Sequence, residues 1–376
     1  MKMEHTFTNK IKQILRKRYG KAAEDIFEHS QVIQYLNLKT RSADRGSKAR
    51  SSFANLYAIY VLVEDYVTHN YDKRGNYADY EGAKFTALFR RQRELPFGSK
   101  LQNHALNHRL NEEFRKFFPQ SRFTPILRDV EKNRYWINEN LIRIKIGKVV
   151  YNLARTILKI IDDYAATKRI AFERFIRACE QLKRVSTKDQ RAAKKFIASL
   201  LAPNVDARLF EIVSYAILKY YYHDQTVYFG FDPDDIEEEN LKLYKTGRTN
   251  ANDGGIDFVM RPLGRFFQVT ETLEVKKYFL DLDKIERYPM SFVIKSENSI
   301  SALKQALKKG AQKQYAVAAI VAKYMSCIEE IINLPALRER FTEAMQKDRL
   351  SEILEEIIRQ SKVEFNYEDS DAIVFK

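Results

Sequence analysis

The sequence predicts an α+β fold: a mainly helical, basic N-terminal region, then a mixed β-sheet flanked by helices. Three observations carry that prediction. Helical periodicity dominates residues 8–201. Two short apolar runs at 256–260 and 266–269 flank a Pro262-Leu263-Gly264 turn and read as a β-hairpin. The charge changes sign along the chain. Residues 1–200 hold 41 Lys+Arg against 21 Asp+Glu, net +20, and the other 176 hold 24 against 29, net −5. Turn chemistry at Ala202-Pro-Asn-Val-Asp206 coincides with that change, so the expected domains are 1–203 and 204–376.

In the basic region, residues 8–29 read as an amphipathic helix, with Ile11, Ile14 and Leu15 on one side among lysines and arginines. The segment 39–50 carries Lys39, Arg41, Arg45, Lys48 and Arg50 among Ser, Thr and Gly, with almost nothing apolar. Such a loop suits a sugar-phosphate backbone, and an arginine there also suits a guanine edge. Residues 52–65 form a core helix and 66–80 a tyrosine-rich loop. Arg90, Arg91 and Arg93 make a second basic knot. Residues 100–118 read as helix, with His104 and His108 one turn apart, but no zinc-peptidase carboxylate lies between them. Arg143-Ile-Lys-Ile-Gly-Lys148 alternates charged and apolar residues, as a strand or ribbon does; 149–182 and 187–201 are helical.

In the second region, 207–222 is an apolar helix containing Glu211, and 226–231 is the expected first core strand. The acidic run 232–240 reads as a solvated loop or helix start without EF-hand spacing. In the hairpin, Ile256, Phe258 and Met260 share one face of the first strand. On the second strand, Phe267 and Val269 alternate with Gln268 and Thr270. A two-residue loop sets Asp257 opposite Thr270, and a four-residue loop sets it opposite Gln268. A three-residue loop puts it on the face of Phe267 and Val269. Burial favours the registers that keep polar with polar. An acid beside an amide oxygen and a hydroxyl can hold a divalent cation. A helix over 272–286, a strand over 290–295, helices through 299–362 broken near Pro335, and an edge strand over 363–375 complete the reading.

Asp253-Gly-Gly-Ile-Asp257, a turn, then a strand ending in Gln268-Val269-Thr270 resembles the core of the PD-(D/E)xK nucleases. That superfamily includes most type II restriction endonucleases. The order helix, strand, hairpin, helix, strand matches across 207–296, roughly a quarter of the chain. The resemblance implies that Asp257 binds Mg2+, that Gln268 is the second ligand, and that Glu211 points towards the metals. Thr270 stands where the family usually has lysine. Its hydroxyl can orient water without supplying the charge, and Glu271, Glu274 or Lys276 are compensating candidates. Glu274-Val275-Lys276 also fits the loose spacing, but it falls in the expected helix.

The reading is therefore a magnesium-dependent endonuclease of type II restriction type acting on double-stranded DNA, with a homodimer implied by the resemblance. Alternatives are a degenerate nuclease fold that binds DNA without cutting it, or a nuclease for repair, transposition or RNA. Composition excludes several other classes. Hydrophobic residues make up 45%, so the chain is globular. Two distant cysteines suggest no disulfide framework, and the absence of an apolar leader or membrane-length run leads to a cytoplasmic expectation. There is no P-loop, hence no nucleotide cofactor, and no serine or cysteine nucleophile constellation.

Overall fold

The computed structural model describes residues 4–41, 49–73, 76–99, 101–185, 190–202, 205–246 and 255–365. The chain is α+β and forms two compact units, 1–174 with 365–376, and 175–364. The division falls inside a long helix; the boundary expected at 203/204 lies outside the described residues.

The first unit is built from α1 (Thr6–Tyr19), α2 (Ala23–His29), α3 (Gln31–Lys39), α4 (Ala49–Thr68), α5 (Phe85–Glu94), α6 (Leu110–Phe117), α7 (Glu139–Ile142) and the start of α8 (Ala154–Val185). Gly20, with φ +55°, separates α1 from α2 and breaks the single helix expected there. One core collects Phe7, Ile11 and Leu15 of α1, the buried face of α4, Leu110 and Phe114 of α6, and Ile157, Ile161 and Tyr164 of α8. Beside it lie a three-stranded antiparallel sheet and a separate ribbon. The sheet, in the order β1-β3-β2, comprises β1 (Ala83–Lys84), β2 (Ile126–Asp129) and β3 (Arg134–Ile137). The ribbon pairs β4 (Arg143–Ile146) with β5 (Val149–Asn152), so the long helix starts at Ala154 rather than 149.

In the second unit, α9 (Gln190–Leu200) leads to α10 (Ala207–Tyr222), whose N-terminus is capped by the Asp206 carboxylate accepting from Arg208 N at 2.9 Å. The run at 226 is a strand, β6 (Thr226–Phe229), but not a core strand. It pairs only with β7 (Glu237–Asn240). Its side chains fit that place: Val227 and Phe229 are only half-buried and Tyr228 on the other face is 75% exposed, whereas a central strand is buried on both faces. The core sheet has the order β12-β11-β10-β9-β8, from β8 (Lys242–Lys245), β9 (Phe258–Arg261), β10 (Arg265–Thr270), β11 (Met290–Ile294) and β12 (Ile328–Ile332). The β8–β9 and β9–β10 pairs are antiparallel and the β10–β11 and β11–β12 pairs parallel, so the sheet is mixed.

Both faces are covered. On one, Phe258, Met260, Phe267 and Val293 pack with α10 and with α14 (Leu334–Gln346) and α15 (Leu350–Phe365). On the other, Phe292 and Ile294 pack with α11 (Val275–Lys284), α12 (Ile300–Gln314) and α13 (Ala318–Ser326). β12 was expected to be helix. Its Ile328-Glu-Glu-Ile-Ile332 spacing is compatible with both periods, and only the parallel pairing to β11 decides it. Val363 to Phe365, expected to begin an edge strand, end α15; 366–375 lie outside the described residues.

Candidate active site

The β9–β10 loop sets the register. Met260 pairs with Arg265, so the connection is the four residues 261–264, with Gly264 at φ +64°. Regular pairing ends at Phe258 with Phe267, and Asp257 then leaves the ladder. Its N–H donates to Phe267 O at 2.9 Å, its carbonyl accepts from Thr246 N at 3.1 Å, and its Oδ2 accepts from Val269 N at 2.7 Å. The carboxylate thus takes the place of a ladder carbonyl, at the peptide joining Gln268 to Val269. Of the Asp-Gly-Gly-Ile-Asp run, Asp253 and Gly254 lie outside the described residues.

Gln268 and Thr270 share one face of β10. They pair in register with Phe292 and Ile294, which belong to the α11–α12 side. Gln268 is 8% exposed; its Nε2 donates to Val269 O at 3.3 Å, while its Oε1 is buried with no hydrogen-bond partner. A buried acceptor left unpaired costs on the order of 1–3 kcal/mol, so this oxygen points to a missing donor or cation. Thr270 is differently placed. Its hydroxyl donates to Thr272 O at 3.2 Å and receives Thr272 N at 3.4 Å, which closes a turn at the end of the strand. That turn delays α11 to Val275, later than the 272 expected from sequence. Glu274 is the N-cap residue of this helix, and both it and Lys276 are exposed.

Two further acids sit in ion pairs. Glu211 is buried on α10, and its Oε1 meets Lys245 Nζ at 2.7 Å. Lys245 pairs in register with Phe258, on the α10 side of the sheet. Glu211 is thus on the side of the sheet opposite Gln268 and Thr270. Glu271 Oε1 meets Lys295 Nζ at 2.6 Å, and Lys295 also donates to Val205 O at 2.5 Å and sits over the Phe210 ring. Two ammonium groups, Lys245 and Lys295, are therefore held near this end of the sheet, although β10 itself ends in threonine. Sequence reasoning named neither, because each is adjacent to the site only through strand pairing.

Asp281 was missed as well. It is 3% exposed on α11, paired with Lys284 at 2.9 Å, and lies against Gly255. Gly255 has φ +81°, and a Cβ there would stand 2.7 Å from Asp281 Oδ1. Glycine is required twice over, by backbone conformation and by space. The contact holds the approach to Asp257 close to α11.

The basic residues expected to meet DNA divide. Lys39 Nζ is bound to Glu113 at 2.7 Å, in a network that includes Asn55 and Tyr35. Arg91 makes a two-pronged pair with Glu64, Nε at 2.7 Å and Nη2 at 2.8 Å. Both charges are already matched inside the fold. Arg93 donates to Ser99 O at 2.7 Å, and Arg41 and Arg90 are exposed. Arg45 and Lys48 lie outside the described residues, as does the side chain of Arg50. His104 and His108 pack ring edge to ring face at 5.9 Å.

Among the described residues no three His, Cys, Asp or Glu side chains converge as a metal site. The donor set is one carboxylate, Asp257, and one amide oxygen, Gln268. Magnesium binds through one or two carboxylates and keeps several waters; the oxygens available for it here are the Asp257 carboxylate and the buried Gln268 Oε1, which has no hydrogen-bond partner. Among the described residues, no helix is long and apolar enough to cross a membrane. Comparison with protein-family models, curated proteins and solved structures found no match.

Proposed function

We propose that this protein is a magnesium-dependent, site-specific endonuclease acting on double-stranded DNA, with a PD-(D/E)xK-like core of the type II restriction kind in residues 207–296. The observation that carries the reading is the hairpin end. Asp257 is held by the Val269 N–H, one peptide from the unpaired, buried Gln268 Oε1. Its other support is the net charge of +20 in residues 1–200, which favours a polyanion.

In this reading Asp257 and Gln268 hold Mg2+, which when bound lowers the pKa of a coordinated water and stabilises charge on the phosphate. The chain's own part is positioning. The Val269 N–H fixes the carboxylate, and Asp281 packs against the glycine that leads into it. Lys295, with Glu271 beside it, supplies the positive charge that Thr270 lacks. A homodimer acting on a two-fold symmetric site is part of the proposal.

A second reading, DNA binding without cleavage, is favoured by one observation. The Thr270 hydroxyl closes a turn and both nearby lysines are engaged by glutamates. One experiment separates the two. Plasmid DNA is incubated with wild type and Asp257→Ala, in magnesium and in EDTA. Discrete magnesium-dependent bands from wild type alone are expected. Intact DNA that is nevertheless retarded in a gel means binding without cleavage.

A further inference from the structure

We infer that the β4–β5 ribbon is a groove-reading element that enters the major groove of duplex DNA, with the end of α1 clamping the phosphates beside it. The inference rests on the duplex-DNA part of the proposal above and not on cleavage.

The ribbon is two-stranded, and among the described residues no other strand pairs with either outer edge. Ile146 pairs with Val149 across a two-residue turn, Gly147-Lys148. Gly147 has φ +59°, the sign a type II′ turn needs at its first central position. Cross-strand partners share a face, which sorts the side chains. Ile144 and Ile146, with Tyr151, pack against the core of the unit. Arg143, Lys145 and Val150 stand on the opposite, outward face, and Lys148 and Val149 are at the tip. Val149 and Val150 are each 51% exposed. The outward face therefore offers basic groups beside aliphatic ones, on an antiparallel pair whose other face packs against the core.

The surroundings extend the charge. Tyr151 packs edge-on to Tyr19 at the end of α1, with ring centroids 5.6 Å apart. The Tyr19 hydroxyl donates to Asn152 O at 2.9 Å. Arg18 adjoins Tyr19 in α1 and Lys21 lies just beyond Gly20, whereas Lys17, two residues before Tyr19, stands on the opposite side of the helix. The acids on this side include Glu139, 3.4 Å from Arg143, Asp72, which binds Arg155, and Glu24, Asp25 and Glu28 of α2, of which Glu24 binds Lys12 and lies 3.7 Å from Arg16. Among the described residues Lys17, Arg18, Lys21, Lys145 and Lys148 have no carboxylate within ion-pair distance.

A major groove about 12 Å wide admits a two-stranded ribbon, and the base edges there offer acceptors to lysine and a thymine methyl to valine. A-form RNA has a deep, narrow major groove that side chains cannot read. The ribbon therefore commits the surface to DNA. Lys145 and Val150 face base edges, and Lys148, Arg18 and Lys21 meet phosphates.

The test is fluorescence anisotropy of a labelled random-sequence duplex, and of the cleaved site once it is mapped, with full-length protein in EDTA at several salt concentrations. Lys145→Ala/Lys148→Ala is expected to weaken binding about tenfold or more and to lower the salt-dependence slope by about 1, for Lys148, the phosphate-contacting lysine of the pair. Lys308→Ala/Lys309→Ala, which removes the same charge from exposed positions on α12, is expected to leave both unchanged. Val150→Ser is expected to lower preference for the mapped site without changing the slope. All substituted side chains are exposed, and equal melting temperatures establish that the fold is intact. A ribbon variant that binds like the α12 control overturns the inference. So does duplex RNA that competes as well as duplex DNA, or a wild type that binds no duplex. A wild type that binds through the ribbon but never cuts overturns only the nuclease reading.

Discussion

At the scale of single residues, Gln268 is the most informative side chain. Its buried Oε1 has no hydrogen-bond partner, a state shared with the amide oxygens of Asn55 and Gln92, but Gln268 alone of the three adjoins the peptide N–H that binds the Asp257 carboxylate. Leucine has nearly the same volume and no polar atom to leave unpaired. Gln268→Leu is therefore expected to melt at the same temperature as wild type or higher, by up to about 1–3 kcal/mol of recovered desolvation. Magnesium-dependent cleavage is expected to be lost. Calorimetry and the plasmid assay on the same preparation check both halves. A strongly destabilised variant means the amide has a structural partner, and a stable, active one means it is no ligand. The approach of Asp257 to the Gln268–Val269 peptide was legible because alternation and a Pro-Leu-Gly turn limit the registers to a few. The four-residue loop is one of the two that kept polar with polar. Asp281 was not legible. Its meeting with Gly255 depends on how α11 packs across the sheet, and no spacing in the chain encodes that distance.

Elements show the same division. Helix α10 occupies the 207–222 read from sequence, because an Asp206 cap and a continuous apolar pattern specify it locally. By contrast, β6 and β12 depend on which strand accepts them. The 226 run was assigned to the central sheet from its composition, yet its partner is the acidic segment of β7. What ties the elements together is open to test at α15. Its Glu356 is 3% exposed and accepts from Gln360 at 2.7 Å and from Lys219 of α10 at 2.9 Å, with Arg359 as a third donor. Burial alone would push its carboxyl up, but these hydrogen bonds and the Lys219 charge outweigh that and hold it below the usual glutamate range. A depressed folded pKa adds stability above the unfolded value, about 4.3, and that stability is lost as pH falls through the folded value. Glu356→Gln is expected to lose about 1.5–3 kcal/mol at pH 7, since a neutral amide forfeits charge-assisted bonds. The gap from wild type is expected to narrow towards pH 4, read by urea titrations at both pH values. A gap independent of pH would mean that shape rather than charge holds α10 to α15.

For the whole molecule, the distribution of charge assigns different tasks to different parts of the chain. The first 200 residues carry net +20, whereas the candidate active site lies in the stretch of net −5, where its carboxylates repel phosphate unless a cation lies between. Affinity without metal should then come from the basic part and be opposed, if anything, by Asp257. In EDTA, Asp257→Ala is expected to bind a DNA duplex as tightly as wild type or a few-fold tighter. The slope of log affinity against log salt should be unchanged, because no phosphate-contacting cation has been removed. Six phosphate contacts would give a loss of roughly a thousandfold between 50 and 200 mM salt for both proteins. With magnesium present the order should reverse, since only wild type can bridge the phosphate through the ion. Anisotropy titrations of the two proteins on one duplex, with calcium replacing magnesium to hold cleavage in check, measure all of this. A tenfold loss of affinity for Asp257→Ala in EDTA would place the main DNA contact at the hairpin end itself. The separation of binding from chemistry would then be wrong.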